Sequence, residues 1–292
     1  MAIGDVMGAS GTNSEKSEVP NGSVGTNFFG LEPEQDSKNE RQFITALARG
    51  LEVLRCFHPG DRLLGNKDIA KRTGLPRPTV CRVTYTLTRM GYLSYAEKLG
   101  KYQLGTAVLS LGYSLLANLD ILKIAQSRMQ ELADYSNSAV GVGARDRLGM
   151  VYLKGCYSTK ASISLNMDAG TSISIATTSM GKALLCGMPE QEREVLMKHI
   201  RSENTKEWPL RKIGIEKALR DYQEYGFCYS IGEWRKDVSG VAVPIVPVDG
   251  SRLYSFNCAA PSFVLKQQMM IEDIGPRLVH MVRSVEAEIA GH

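Results

Sequence analysis

The chain has 292 residues and a hydrophobic content of 43%, enough for two packed domains and too apolar for a chain disordered throughout. It contains no run of about 18 apolar residues, as a membrane-spanning helix requires, and no apolar secretory segment at its N-terminus. We therefore expect a cytoplasmic protein without a membrane partner. The formal net charge is +4, but residues 41–105 carry twelve basic against four acidic side chains, which is typical of a nucleic-acid-binding module.

Residues 1–38 are rich in Gly, Ser, Asn, Glu and Pro and lack periodicity, which predicts a disordered tail. Residues 42–57 predict an amphipathic helix that ends at His58-Pro59-Gly60. Its apolar side chains recur at spacings of three and four residues, and they are Ile44, Leu47, Leu51 and Leu54.

Two further helices follow the first. Residues 66–73 predict a short helix with Asn66 as its N-cap, and Gly74 supplies a turn. Residues 76–90 predict a third helix, whose two prolines fit the first turn because amides there have no helical partner. The apolar face of this third helix consists of Val80, Val83, Leu87 and Met90.

Residues 92–95 and 101–104 alternate in polarity and predict two short strands joined as a hairpin. Helix, short helix, turn, helix and hairpin, in this order, predict a winged helix-turn-helix domain over residues 39–105. Because this is also the strongly basic segment, we expect the domain to bind double-stranded DNA.

The third helix has the pattern of a recognition helix, with one face for its own domain and a polar face for the major groove. Arginine can read guanine through two hydrogen bonds, and hydroxyl groups hold phosphate. The candidate DNA-binding residues of this helix are Arg77, Pro78, Thr79, Arg82, Tyr85 and Arg89. Lys98 and Lys101 in the hairpin are expected to contact the DNA backbone. The alternative is an ordinary solvated basic face.

Residues 106–118 form an apolar helix within a segment, residues 106–120, that we interpret as a linker and dimerisation element. The alternative is that this helix packs against its own domain. Its large aliphatic side chains are Val108, Leu109, Leu111, Leu115 and Leu116.

From residue 121 to residue 292 the chain alternates helices and strands, which predicts an α+β domain with a mainly antiparallel sheet. Another helix covers residues 121–135, and a hairpin turn is expected at Asp249-Gly250. The predicted strands are residues 140–144, 150–156, 162–166, 228–233, 238–246 and 253–259. The predicted helices are residues 180–187, 190–200, 213–225 and 263–289.

The sequence resembles the IclR family of bacterial regulators over about residues 42–290. The segments that carry the resemblance, in chain order, are residues 73–82, 90–93, 102–105, 179–185, 226–227 and 240–250. The resemblance implies an N-terminal winged helix-turn-helix, a linker helix and a C-terminal GAF-like α/β effector domain. It also implies dimers or tetramers on palindromic operators, with Thr79 and Arg82 at DNA-contacting positions.

The resemblance further implies a small-molecule pocket between the sheet and its flanking loops. The positions that match the pocket lining are Leu165, Ser179, Met180, Glu233, Val243, Asn257 and Ala259. The helix that begins near Met180 offers free N–H groups and a positive dipole end, and Ser179 adds a hydroxyl, so a small carboxylic acid is the expected effector. Glu233 as a solvated charge and Asn257 as a self-satisfied buried residue are equal alternatives.

Catalytic, cofactor and metal sites are not indicated by the sequence. The six cysteines lack zinc-site spacing, and Gly181-Lys182 lacks the flanking residues of a phosphate-binding loop. Thiol redox chemistry is a rival hypothesis, but it needs an activated thiol and often a resolving partner. A ligand-independent architectural DNA-binding protein is the second rival.

Overall fold

A computed structural model describes residues 43–161, 165, 167–246 and 252–291. Its N-terminal part is a winged helix-turn-helix with a core centred on Val53, Ile69 and Val80. A backbone bridge between Leu64 and Tyr102 ties the hairpin to this core, with N···O distances of 2.9 and 2.8 Å. The elements are α1 (Thr45–Arg55), α2 (Asn66–Thr73), α3 (Arg77–Arg89), β1 (Leu93–Ala96) and β2 (Lys101–Leu104).

Most of the predicted apolar face of α1 points away from this core. Leu47 and Leu51 are 60% and 51% exposed, whereas Ala48 and Val53 are buried. The stripe was therefore correctly read as one face of a helix, but the face that packs within the protomer is a different one. In the part of the chain that the structure describes, Leu54 packs against the core, whereas Ile44, Leu47 and Leu51 remain exposed.

Two details of α2 and α3 also differ from the sequence prediction. Gly65, rather than Asn66, is the N-cap of α2. The backbone N–H of Gly65 donates a hydrogen bond to the Asp68 carboxylate at 3.0 Å. Met90 is 60% exposed, and Thr84 is buried instead. Thr84 tolerates this position because its hydroxyl donates to the carbonyl of Val80 at 2.9 Å.

Two helices connect the N-terminal part to the sheet, α4 (Thr106–Ala117) and α5 (Asp120–Ser136). α5 buries a face that includes Ala125 and Met129, whereas α4 buries none of its 12 residues. Among the described residues, no single helix is long and apolar enough to cross a membrane. α4 and α5 pass that test only when they are joined, and they are bent by 77°.

The C-terminal part is built on a six-stranded antiparallel sheet in the order β5-β4-β3-β8-β7-β6. The predicted strand over residues 162–166 and the turn at Asp249-Gly250 lie largely outside the described residues. An edge strand, β5, was not predicted. The strands are β3 (Ala139–Asp146), β4 (Gly149–Tyr157), β5 (Ser172–Ser174), β6 (Cys228–Ile231), β7 (Val238–Ile245) and β8 (Tyr254–Pro261).

Helices cover both faces of this sheet. One core lies between the sheet and the helices α5 and α10, and the other lies between the sheet and α6, α7 and α8. The predicted fold class is confirmed. The remaining helices are α6 (Ser179–Gly187), α7 (Glu190–Glu203), α8 (Trp208–Tyr225), the short α9 (Gln267–Met269) and, after a π turn, α10 (Gly275–Ala290).

Three predicted boundaries were wrong. α8 begins at Trp208 rather than at residue 213, because Pro209 is accommodated in its first turn. β6 ends at Ile231, because Gly232 adopts a left-handed conformation with φ +66°. The last helix does not begin at residue 263, since Phe263 is 67% exposed in a turn that precedes α9.

Candidate functional site

The exposed face of α3 carries the side chains that the sequence assigned to DNA. Arg77, Pro78, Arg82, Tyr85 and Arg89 are exposed, and Thr79 is half-buried at the N-terminal end of the helix. Lys98 and Lys101 are exposed on the hairpin. None of these five cations forms an ion pair with a residue that the structure describes, so all are free to meet phosphate or a base edge.

Side-chain hydrogen bonds join α2 to α3 and to the loop that precedes α2. The Asn66 amide donates to Cys81 Sγ at 3.2 Å and accepts from the Thr84 hydroxyl at 3.4 Å. At the other end of α2, Arg72 forms two hydrogen bonds with Asp61, which lower the pKa of that carboxyl to about 2. The recognition helix is thus fixed by side chains that leave its outer face unobstructed.

A cavity of about 450 Å³, counted to its open mouth, lies between the sheet and the start of α6. Small residues of β3, β7 and β8 line part of the cavity. Larger side chains at these positions would fill it. The described lining residues are Ala139, Tyr152, Leu165, Met167, Ile173, Thr178, Ser179, Ser230, Trp234, Val238, Ser239, Gly240, Asn257 and Ala259.

Tyr152 and Asn257 form a hydrogen-bonded pair in this cavity. Asn257 Nδ2 donates to the Tyr152 hydroxyl at 3.0 Å, and both side chains are buried. Burial raises the pKa of the Tyr152 hydroxyl far above its ordinary range, so it stays protonated and can donate. Gly141 makes room for the pair, since a Cβ there would lie 2.4 Å from Tyr152 Cε1 and 3.0 Å from Asn257 Oδ1.

Two serine hydroxyls line the cavity without a hydrogen bond to another described residue, and the residues that carry them are buried. They belong to Ser179, which is 4% exposed, and Ser230, which is 7% exposed. Both flank Gly240: Ser230 is its cross-strand partner, and a Cβ on Gly240 would lie 2.7 Å from Ser179 Oγ. Because these two hydroxyls face the cavity and hold no other described residue, they are available to a ligand. Thr178, in contrast, already caps α6 by accepting from the Gly181 N–H at 3.1 Å.

Two family models cover most of the chain. Residues 46–97 match the IclR helix-turn-helix domain, and residues 113–287 match the bacterial transcriptional regulator IclR C-terminal domain. The chain belongs to the IclR family of bacterial transcriptional regulators. The predicted resemblance is therefore confirmed, and this IclR protein is a transcriptional regulator with a helix-turn-helix DNA-binding domain.

Individual relatives agree with this assignment over nearly their whole length. HTH-type transcriptional regulator TsaQ1/TsaQ2 of Comamonas testosteroni is 36% identical over 258 residues, 88% of this chain and 92% of the relative. An IclR family transcriptional regulator from Brucella abortus has a crystal structure with a TM-score of 0.83 and 46% identity, covering 90% of this chain and 99% of that one.

A more distant solved structure shares the fold. It is an IclR homologue from Microbacterium hydrocarbonoxydans, complexed with 4-hydroxybenzoate. Its TM-score is 0.64 and its identity 18%, covering 85% of this chain and all of that chain.

The structure brings together four of the seven residues expected to line the IclR pocket: Leu165, Ser179, Asn257 and Ala259. Three lie elsewhere. Met180 is fully buried in the core beneath α6, with its Sδ against Gly143. Val243 points to the opposite face of the sheet from Asn257, because side chains alternate along β7 and β8 and Val243 packs in the core beneath α5 and α10. Glu233 is paired with Lys182.

Sequence reasoning missed Tyr152, Ser230 and Trp234. Ser230 could have been found from alternation along β6, once its register with β7 was known. Tyr152 lies on β4 and Trp234 in a turn, and each reaches the cavity through long-range contacts that local periodicity does not report.

Four of the six cysteines do not resemble activated thiols. Burial raises the pKa of Cys56 to about 11 and also raises the pKa of Cys156 and Cys258. Contact with Cys186, together with burial, raises the pKa of Cys228. A thiolate is the reactive form, so these environments oppose redox catalysis. Among the described residues, no cluster of three His, Cys, Asp or Glu side chains is suited to a metal ion.

Two ion pairs join α1 to the turn between β3 and β4. Arg55 Nη2 lies 2.5 Å from Asp146 Oδ2, and Glu52 pairs with Arg147. Arg147 holds a left-handed conformation, with φ +54°, at the tip of this turn. The DNA-binding part thus contacts the hairpin that carries Tyr152.

Proposed function

We propose that this IclR protein is a cytoplasmic repressor or activator whose affinity for operator DNA changes when a small organic acid occupies the cavity. The observation that carries the proposal is the combination of a free cationic face on α3 with a separate cavity lined by two serine hydroxyls that bond to no other described residue. The first suits a negatively charged duplex, and the second suits a polar small molecule.

An aromatic carboxylic acid fits the lining best. No Lys or Arg is present among the described lining residues, so the attraction for a carboxylate has to come from other groups. Ser179 and Ser230 can donate to it, and the N-terminal end of α6 is positive. Tyr152 and Trp234 offer aromatic surface, and the Tyr152–Asn257 pair can exchange hydrogen bonds with a second polar group. The 4-hydroxybenzoate bound by the Microbacterium homologue has this chemistry and is the first probe to use.

We further propose that the protein dimerises through the uncovered faces of α1 and α4. α4 exposes Leu109 by 74%, Leu111 by 59% and Tyr113 by 70%. A helix without a buried residue has little to stabilise it within one protomer. A second copy of the chain supplies the missing apolar surface, and a two-fold dimer suits a palindromic operator.

The two ion pairs between α1 and the β3–β4 turn offer a route for coupling. β3 and β4 carry Ala139 and Tyr152, which line the cavity, and their connecting turn carries Asp146 and Arg147, which hold α1. An acid that shifts these strands would move α1, and through it the recognition helix.

The DNA-binding half is tested with a duplex selected from a random pool by the full chain. We expect Arg82→Ala to weaken binding to that duplex by about 1–3 kcal/mol and to relax base preference at one position. Arg201→Ala, an exposed arginine of α7, is the matched control and should bind normally. Unchanged affinity in R82A would contradict the assignment of α3.

The effector half is tested by thermal shift with a panel of aromatic and sugar-derived acids, 4-hydroxybenzoate first. We expect at least one acid to raise the melting temperature, and Ser179→Ala combined with Ser230→Ala to abolish that rise. The ligand-independent architectural alternative predicts that no acid in the panel stabilises the protein.

A further inference from the structure

Lys182 is a buried cation in the helical layer behind the cavity. Its side chain is 1% exposed, and its Nζ lies 2.5 Å from Glu233 Oε2. Glu233 reaches inward from the turn between β6 and β7, with its side chain 32% exposed. Moving a lysine out of water is costly unless it is paired, so this contact fixes where Glu233 must be.

Gly214 of α8 leaves the space that the ion pair occupies. A Cβ at this position would lie 2.4 Å from Glu233 Oε2 and 3.0 Å from Lys182 Nζ. Glycine in the middle of an 18-residue helix is unfavourable by intrinsic propensity. Its presence here is explained by the carboxylate and ammonium groups that lie against the helix backbone.

The residue that follows Glu233 is part of the cavity lining. Trp234 is half-buried and faces the cavity, two residues after the left-handed Gly232. Within the turn, backbone bonds join Gly232 N to Val238 O at 2.9 Å and Val238 N to Arg235 O at 3.0 Å. These bonds shape the turn itself, whereas Glu233 ties it by its side chain to α6.

We infer that the Lys182–Glu233 pair is a positioning device: it holds the β6–β7 turn, residues 232–237, so that Trp234 forms a wall of the cavity. Neither charged residue is among the described lining residues of the cavity. The pair acts through Trp234, and it determines how tightly an aromatic effector is enclosed. This last step rests on the proposed function, whereas the position of Trp234 does not.

The test uses tryptophan fluorescence of the full chain without ligand. The protein has two tryptophans, so Trp208→Phe leaves Trp234 as the single reporter. In that background we compare Lys182→Met, which fills the same buried space without charge, with Lys212→Met, which removes the exposed Lys212–Glu216 pair from α8. We expect K182M to raise the acrylamide quenching slope of Trp234 at least twofold, and K212M to leave it unchanged.

Gly214→Ala perturbs the same contact without removing a charge. Alanine is the better helix former, yet its Cβ would displace Glu233, so we expect a raised quenching slope here as well. If K182M does not fold, G214A alone tests whether the Lys182–Glu233 contact positions Trp234. Unchanged quenching in a folded G214A, or in both folded variants, would overturn the inference.

A ligand measurement separates this inference from the proposed function. If 4-hydroxybenzoate binds the W208F protein, its Kd should rise about fivefold or more in K182M and stay constant in K212M. If it binds none of the variants while quenching still rises in K182M, the positioning role stands and this acid is not the effector.

Discussion

Leu109→Glu is the most direct perturbation of the proposed dimer. Leu109 is 74% exposed on a helix that has no fully buried residue. Burying a whole leucine side chain contributes about 1.5–3 kcal/mol, so covering three quarters of one contributes roughly 1–2 kcal/mol. In a two-fold dimer the residue occurs twice, which gives roughly 2–4 kcal/mol and a rise of about 30- to 700-fold in the dimer Kd.

Sedimentation velocity over a range of protein concentrations measures that Kd. Leu210→Glu is the matched control, because Leu210 is equally exposed, at 76%, but lies on the charged helix α8. We expect L109E to dissociate to monomer at concentrations at which wild type and L210E remain dimeric. An unchanged dimer Kd in L109E would refute the proposal that a second copy covers α4.

Three further results are expected. Lys98→Ala with Lys101→Ala removes four cations from a dimer on its operator, so it should reduce the slope of log affinity against log salt concentration by about four and leave sequence preference unchanged. The pKa of Asp61 falls from 3.8 to about 2 on folding, so the ionised carboxylate stabilises the folded protein above pH 4 and this contribution is lost as the pH drops towards 2. Asp61→Asn should therefore remove the loss of folding stability between about pH 4 and pH 2, measured by acid unfolding. Arg55→Asp should weaken the response of DNA binding to effector, and adding Asp146→Arg should restore it in a double-mutant cycle.

The DNA-binding half could be predicted from the sequence because its signals are local. Helix spacing, the turn glycine and the concentration of arginine all lie within residues 41–105. What the pattern left open there is burial: the α1 stripe was identified, but Leu47 and Leu51 on it are exposed. Periodicity shows that a helix has an apolar face, but it does not show whether the same chain or another copy covers that face.

The cavity was harder to predict, because it depends on pairing between distant strands. Asn257 was identified as a lining residue, but its partner Tyr152 is 105 residues away. Glu233 was expected in the cavity, yet a buried cation on α6 holds its carboxylate elsewhere, and nothing near residue 233 in sequence indicates Lys182. Charge pairing across a fold follows from tertiary packing rather than from spacing along the chain.

Effector-dependent operator binding is the central claim, and one linked titration tests it. The Kd of the selected operator duplex is measured with and without a saturating amount of the acid that stabilises the protein most, and the Kd of that acid is measured with and without operator. We predict that the acid changes the operator Kd by about fivefold or more and that the operator changes the acid Kd by the same factor, because coupling between two sites is reciprocal. Equal operator Kd values in the absence and presence of the acid would contradict the account.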